Sequence, residues 1–410
     1  MKKVVSCLLI LLICYAAILP VSGSQAEPEP DDILGIRQYA AYLMKKEYDY
    51  EVTVAVVDSG VAPIDILNGR TVAGYDFVNN DSDASDDYSA SGHGTFIAGQ
   101  IAGVTHGLPV KIMPVKVAAD TDASVDSVAD GIRFATDNGA DVINLSVSGI
   151  SSDCEKIDSA VEYAFSNGIT VVACAGNGAT LIDEYCPAHN ECAITVSMTD
   201  NEGNFVDAYS NYGRYVDVCA PGLAISGYDV NNGIHKLSGT SMSAAFISAG
   251  AALVKLDNPS YVNTRIEEKI KSVCKDLGED GFDNYYGYGM PDFRGLIDCK
   301  LSISDYENSN GRKVLPGSYI TFFAESDNLP EGSEITWYVN GDKIETGEEC
   351  KVEFQKNTEI YCESSDYLGR PVRSEIQSVK VRSGLFGRIA AFFAKLFRIS
   401  TEYEQKAQND

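Results

Sequence analysis

The sequence predicts an α/β fold, a doubly wound and mostly parallel sheet, followed by a small all-β sandwich and a short amphipathic C-terminal helix. Three observations predict it. Apolar β-branched runs alternate with segments of helical period between residues 52 and 175. Near Leu301 the texture changes to short alternating runs separated by Gly, Pro, Asn and Asp. The stretch from Leu385 to Arg398 is apolar and basic, with no acid, in a chain of formal net charge -27.

The elements follow in chain order. Lys2 and Lys3 precede an uncharged apolar stretch from Val4 to Val21, and small residues follow at Gly23, Ser24 and Ala26. That pattern is a secretory signal peptide over residues 1–26; Pro20 and the small-residue exit favour cleavage, after Gly23 or Ala26, over a retained membrane anchor. The expected location is secreted or extracellular. Residues 27–300 form the next unit, in which Val52–Val57, Val110–Val117, Val142–Val147 and Ile169–Ala175 read as strands, and Ala123–Asn138 and Cys154–Asn167 as helices. Apolar strands alternating with helices form a parallel sheet covered on both faces. Ligands bind such sheets beyond the carboxyl ends of the strands, and Asp58 and Asn177 fall at such ends. Residues 301–382 carry the short runs Tyr319–Ala324, Glu334–Val339, Lys351–Phe354, Glu359–Cys362 and Ile376–Val381, the texture of a β-sandwich. In the tail, residues 383–410, helical spacing puts Arg388, Lys395 and Arg398 on one side and most large apolar groups on the other. Residues 385–398 therefore suit a membrane or cell surface, or a helix folded back on the sandwich.

A serine hydroxyl is a poor nucleophile until a base takes its proton. Ser241 stands in Ser238-Gly239-Thr240-Ser241-Met242-Ser243-Ala244-Ala245, between small residues where a helix begins. A histidine between glycines occurs in Ser91-Gly92-His93-Gly94-Thr95, and the apolar run Val54-Ala55-Val56-Val57 ends in Asp58. The order Asp, His, Ser distinguishes subtilisin from α/β-hydrolases and chymotrypsin, and G-x-S-x-S is not the elbow of a lipase. From roughly Asp31 to Asp298 the chain resembles the subtilisin-like serine proteases, the subtilases. Four motifs carry the resemblance: the Asp58 strand end, His93-Gly94-Thr95, Ala175-Gly176-Asn177 and Gly239-Thr240-Ser241-Met242.

The resemblance implies a secreted serine endopeptidase that hydrolyses peptide bonds through Asp58, His93 and Ser241 and an acyl-enzyme. Asn177 is the implied oxyanion donor, together with the Ser241 N–H. Protein or peptide substrates would add as a strand between Ser146-Val147-Ser148-Gly149 and roughly Val117-Ala118-Ala119. Cys174, Ala175 and Gly176 would help line the first specificity pocket. Gly92 and Gly94 would leave room for substrate and backbone beside the imidazole. Ser148 stands where the family commonly has glycine, which narrows the pocket mouth against large aromatic residues. The alternative is a catalytically silent subtilase fold serving as a surface binding or adhesion protein. A missing triad residue would favour it, and none is missing.

The chain departs from the family at Phe96, which replaces a second histidine, and at Ala245-Phe246, which replaces Pro-His. Neither removes a proton carrier. Between His93 and Val110 there is no room for the long calcium loop of secreted bacterial subtilisins. The acidic run 79–87 reads as a solvated loop, with weak calcium binding through hard oxygens as the alternative; no cofactor is required and no metal site is assigned. Residues 27–57 resemble the family's mature start, leaving no inhibitory propeptide. Four histidines without His-Glu-x-x-His argue against a zinc protease, and the acidic charge argues against nucleic acid as a partner.

Loss of Cys7 and Cys14 with the leader leaves an odd number of cysteines, hence at least one free thiol or an intermolecular bond. Cys186 and Cys192 bracket a short loop and are the first expected disulfide, followed by Cys274–Cys299 and Cys350–Cys362. Cys174 and Cys219 lie in apolar runs and read as small buried hydrophobes. In the sandwich, Ile335-Thr336-Trp337-Tyr338-Val339 resembles an immunoglobulin central strand with its tryptophan, and Tyr361-Cys362 the strand opposite. The usual cysteine partner is missing from Tyr319–Ala324, so the expectation is an Ig-like fold and not a true immunoglobulin domain.

Overall fold

The structure, a computed structural model, describes residues 9–10, 30–87, 92–119, 122–305, 310–311, 313–382, 384–396 and 402–403. The chain divides into two units, Met1–Leu296 and Ile297–Asp410. The expected cleavage after Gly23 or Ala26, and the tail residues Phe397 and Arg398, lie outside the described residues.

Seven strands make the main sheet of the first unit, in the order Val218–Pro221, Ala193–Thr199, Thr170–Cys174, Val142–Leu145, Val52–Asp58, Val110–Lys116, Tyr75–Asp76. Every neighbouring pair is parallel. Val54, Ala55, Val56 and Val57 are all fully buried, as a strand covered on both faces requires. Ala55 and Val57 join a core with the helices Val125–Asp137 and Cys154–Ser166, each of which buries one face. The helix Thr240–Asp257 packs across the strands that begin at Val52, Val142, Thr170, Ala193 and Val218. It is buried almost all round, which its Ala-rich, nearly uncharged sequence permits. Val52–Asp58 has Val110–Lys116 on one side and Val142–Leu145 on the other, so the winding direction reverses at its end.

The acidic run is not a solvated loop throughout. Asp86 is only 5% exposed, and Asp76, just before the run, is fully buried, its Oδ1 accepting from the Val78 and Asn79 N–H groups at 2.6 and 2.9 Å. Lys116, also fully buried, donates to the Ser85 carbonyl at 2.7 Å and pairs with Asp87. A buried ammonium needs such partners, and here they hold the run against the sheet. Asp81 and Asp83 stay at the surface.

The expected Cys186–Cys192 bridge is replaced by Cys154–Cys186, whose Cα atoms lie 5.7 Å apart. Tyr185–Cys186 forms a short antiparallel pair with Gly149–Ile150, and this brings Cys186 to the start of the Cys154 helix. Cys192, Cys274, Cys299, Cys350 and Cys362 are free, so neither of the other expected bridges is present. Cys174 and Cys219 are buried thiols.

In the second unit, Lys300–Asp305, Ser318–Asp327 and Glu349–Phe354 form one antiparallel sheet, and Thr336–Val339, Asp342–Thr346, Thr358–Ser365 and Gln377–Val381 belong to another. Both contribute to one core around Trp337, Phe322, Phe354, Cys350 and Cys362. The Trp337 indole N–H donates to the Gly347 carbonyl at 2.9 Å. The tail forms a helix, Leu385–Leu396, on which Ile389, Phe392 and Phe393 are exposed, as are Arg388 and Lys395. Among the described residues no helix is long and apolar enough to cross a membrane.

Candidate active site

The carboxyl end of the Val52–Asp58 strand delivers Asp58 into the interior, fully buried. His93 opens the helix His93–Val104, and its Nδ1 lies 2.8 Å from Asp58 Oδ1. The glycines around His93 are required by the chain itself and not only by an incoming substrate. A β-carbon on Gly94 would lie 2.2 Å from the Gly60 carbonyl oxygen and 3.1 Å from Asp58 Cβ. Gly94 thus lets the helix close onto the Asp58 strand.

Burial opposes charging of His93, but the negative charge and hydrogen bond of Asp58 outweigh it, with Asp86 adding to them, so the imidazole pKa is raised from its ordinary value. Asp86 was hidden in the acidic run. Its Oδ2 accepts from the Thr95 N–H at 3.0 Å and the Thr95 hydroxyl at 2.8 Å, and its Oδ1 from the Ser59 hydroxyl at 3.1 Å. Ser59 Oγ in turn accepts from the Gly94 N–H at 3.0 Å. Orphan N–H groups of the first helical turn are thereby satisfied by a neighbouring loop. Burial is the main cause that raises the Asp86 carboxyl to about 6, against the bonds from Thr95 and with a contribution from the Asp58 charge. Asp86→Asn removes one of the charges that favour protonated His93. If deprotonated His93 is the active form, the acid limb of the rate profile is expected to move to lower pH. A kcat/KM profile from pH 4 to 9 checks it, and an unmoved limb would disprove the coupling.

Ser241 occupies the first turn of the buried helix and is 5% exposed. Its Oγ donates to the Ser146 carbonyl at 3.3 Å, and no hydrogen bond joins it to His93 among the described residues. Ser146 Oγ donates to the Ser241 carbonyl at 3.2 Å and accepts from Asn144 Nδ2 at 2.9 Å, while Asn144 Oδ1 accepts from Ser248 at 2.9 Å. A buried polar chain thus ties the Ser241 helix to the strand end that carries Ser146. Gln100, two turns along the His93 helix, donates to the Met242 carbonyl at 2.9 Å and fastens the two helices together.

Asn177 Oδ1 accepts from the Thr240 N–H at 2.9 Å and the Thr240 hydroxyl at 3.0 Å, and Thr240 Oγ1 accepts from the Gly176 N–H at 3.0 Å. These donors assign the amide, with its oxygen toward the helix. Nδ2 lies beside Gly239, where a β-carbon would come within 3.2 Å of it. Cys174, beneath this site, is 2% exposed, and burial pushes its thiol up to about 11 despite hydrogen bonding with Thr240 and Ser241. It stays a thiol and is no nucleophile at neutral pH.

Of the two expected substrate edges, Ser146–Gly149 adjoins Ser241. In the other, roughly Val117–Ala119, Ala118–Ala119 is the end strand of a small sheet: it pairs on one side with Asp122–Ala123, which takes Leu9–Ile10 antiparallel on its far side. Among the described residues no three His, Cys, Asp or Glu side chains are grouped to hold a metal. Thr95, Thr240 and Ser59 were missed because each lies next to a recognised residue and acts through backbone geometry invisible in one sequence.

A parallel sheet with an Asp-held histidine at its carboxyl edge, packed beside a helix that opens on a buried serine, defines a serine-type endopeptidase. The chain belongs to the subtilase family, which it matches over residues 49–289. It is 35% identical over 247 residues to Subtilisin BL of Lederbergia lenta, covering 58% of this chain and 88% of that protein. It is 34% identical over 270 residues to a thermophilic serine proteinase of Bacillus sp. (strain AK1), covering 62% and 65%. Among solved structures it resembles a cold adapted subtilisin-like serine proteinase, with a TM-score of 0.54 and 29% identity over 60% of this chain and 91% of that one.

Proposed function

We propose that the protein is a secreted endopeptidase in which Asp58, His93 and Ser241 form the triad and Asn177 is the side-chain oxyanion donor. The observation that carries this reading is the 2.8 Å contact between His93 Nδ1 and Asp58, beside a serine at the first turn of the adjoining helix. Asp58 holds the proton on Nδ1, which leaves Nε2 to accept one. A peptide strand laid along Ser146–Gly149 offers its own N–H to the Ser146 carbonyl. The Ser241 hydroxyl, displaced from that carbonyl, turns to His93. Oγ attacks the substrate carbonyl as Nε2 takes its proton, and the oxyanion meets Asn177 Nδ2 and the Ser241 N–H at the positive end of the helix. Nε2 returns the proton to the leaving amine, and the acyl-enzyme remains. Water, deprotonated by the same nitrogen, releases the acid and restores Ser241.

Partners and compartment belong to the same proposal: protein or peptide substrates outside the cell. The tail helix, with Ile389 and Phe392 exposed near Arg388 and Lys395, is the part offered to a membrane or cell surface.

Asn177→Ala tests the oxyanion assignment. A donor used in the transition state lowers kcat, here by about 10²–10³, the range found for the corresponding donor of subtilisin, and leaves KM nearly unchanged. A change confined to KM would reduce Asn177 to a ground-state contact.

A further inference from the structure

We infer that Tyr185 and Ser148 close the pocket beside Ser241, so that the residue whose carbonyl is attacked, P1, is small: alanine, serine or glycine. The inference rests on the peptidase reading above and names its substrate class.

The P1 side chain enters between two walls. The first is Ser146–Gly149, placed by the 3.3 Å contact of Ser241 Oγ with the Ser146 carbonyl. The second is Cys174–Gly176, which runs directly into Asn177. Across the space between them lies a tyrosine that the sequence reading did not single out. Ile150 pairs with Tyr185 and Gly149 with Cys186 in a short antiparallel ladder that extends from the first wall. The Tyr185 ring then runs along the second wall: Cδ1 lies 3.4 Å from where a β-carbon of Gly176 would be, and the hydroxyl 2.8 Å from that of Gly178. Glycine at both positions makes room for the ring. Gly176 also has φ +96°, a left-handed conformation that disfavours a side chain.

Tyr185 is not a loose gate. Its N–H donates to the Ile182 carbonyl at 2.8 Å, its carbonyl accepts from the His189 N–H at 2.9 Å, and it packs, partly buried, against the apolar cluster of Ala175, Ile182, Ala188 and Val216. The next residue, Cys186, is bonded to Cys154. From the first wall, Ser148 Oγ reaches to 2.9 Å from the same Gly176 β-carbon position, so the walls nearly touch. A leucine or phenylalanine side chain would need the volume that these two groups fill. The Ser148 hydroxyl is buried and has no hydrogen-bond partner among the described residues, and a P1 serine could supply one.

The test is kcat/KM of the full chain on a peptide series that varies only P1. Alanine and serine are expected to exceed leucine and phenylalanine by about tenfold or more, within the range that a misfit side chain costs in a closed pocket. Tyr185→Gly and Ser148→Gly, made separately, are each expected to raise the Phe-to-Ala ratio, and Ser148→Gly gives the answer if the tyrosine variant does not fold. Phenylalanine cleaved as well as alanine by the unaltered protein, or a ratio unmoved in a folded variant, would overturn the inference. Labelling by a small fluorophosphonate, which presents no P1 side chain, separates the outcomes. A labelled protein with a flat P1 profile sinks the pocket assignment alone, whereas an unlabelled one sinks the peptidase reading beneath it.

Discussion

Ser241→Ala is expected to lower kcat by about 10⁶-fold, the loss seen when the nucleophile of subtilisin is removed, and to abolish fluorophosphonate labelling. Its described neighbours are poor replacements: Cys174 is held as a thiol by burial, and Ser146 and Ser243 donate to the Ser241 and Ala220 carbonyls. The fold should survive the change. Alanine is the better helix former, and the change gives up the 3.3 Å contact with the Ser146 carbonyl and the hydrogen bonding with Cys174. Melting followed by circular dichroism should therefore stay within a few degrees of the unaltered protein while activity vanishes. Labelling that persists in the folded variant would place the nucleophile elsewhere.

Asp58→Asn carries the second largest expected effect, about 10⁴-fold in kcat at neutral pH, as in serine proteases whose orienting aspartate is changed. The sign of its pH effect follows from the charges. Asp58 is the main group raising the His93 pKa against burial, so its neutralisation lowers that pKa. His93 must be neutral to take the Ser241 proton, and the acid limb should move to lower pH even as the plateau falls. Asp58 raises the His93 pKa more than Asp86 does, so the shift should exceed that of Asp86→Asn. A pH–rate profile with a lowered plateau and a stationary limb would contradict this account, as would a loss below tenfold.

What the sequence discloses here depends on whether a residue acts locally or through distant chain. The central strands and flanking helices were legible because their burial demands apolar β-branched runs or a helical period. Asp58, His93, Asn177 and Ser241 were legible because each sits in a short run whose small neighbours are needed for close backbone approach, as Gly94 and Gly239 show. Tyr75–Asp76, a two-residue edge strand, leaves no periodic trace, and Val218–Pro221 and the internal seven-residue strand Ala193–Thr199 were not read either. Asp86 resembled its exposed neighbours; only Thr95, Ser59 and the Lys116 clamp behind it draw it inside. Tyr185 and the Cys154–Cys186 bond depend on a two-residue ladder with Gly149–Ile150, which one sequence does not reveal.

The order of the sheet has a consequence for the molecule's life before it works. Its strands pair in parallel and out of sequence order, and the Ser241 helix seats on strands that begin as far apart in the chain as Val52 and Val218. Loops that long must close before the helix finds its bed, which makes such topologies slow to fold. The strand end that carries Ser146 and the segment that carries Asn177 meet the first turn of that helix only once the docking is complete. On the proposed mechanism, a half-folded chain therefore exposes backbone at a stage when it has no assembled site with which to cut it.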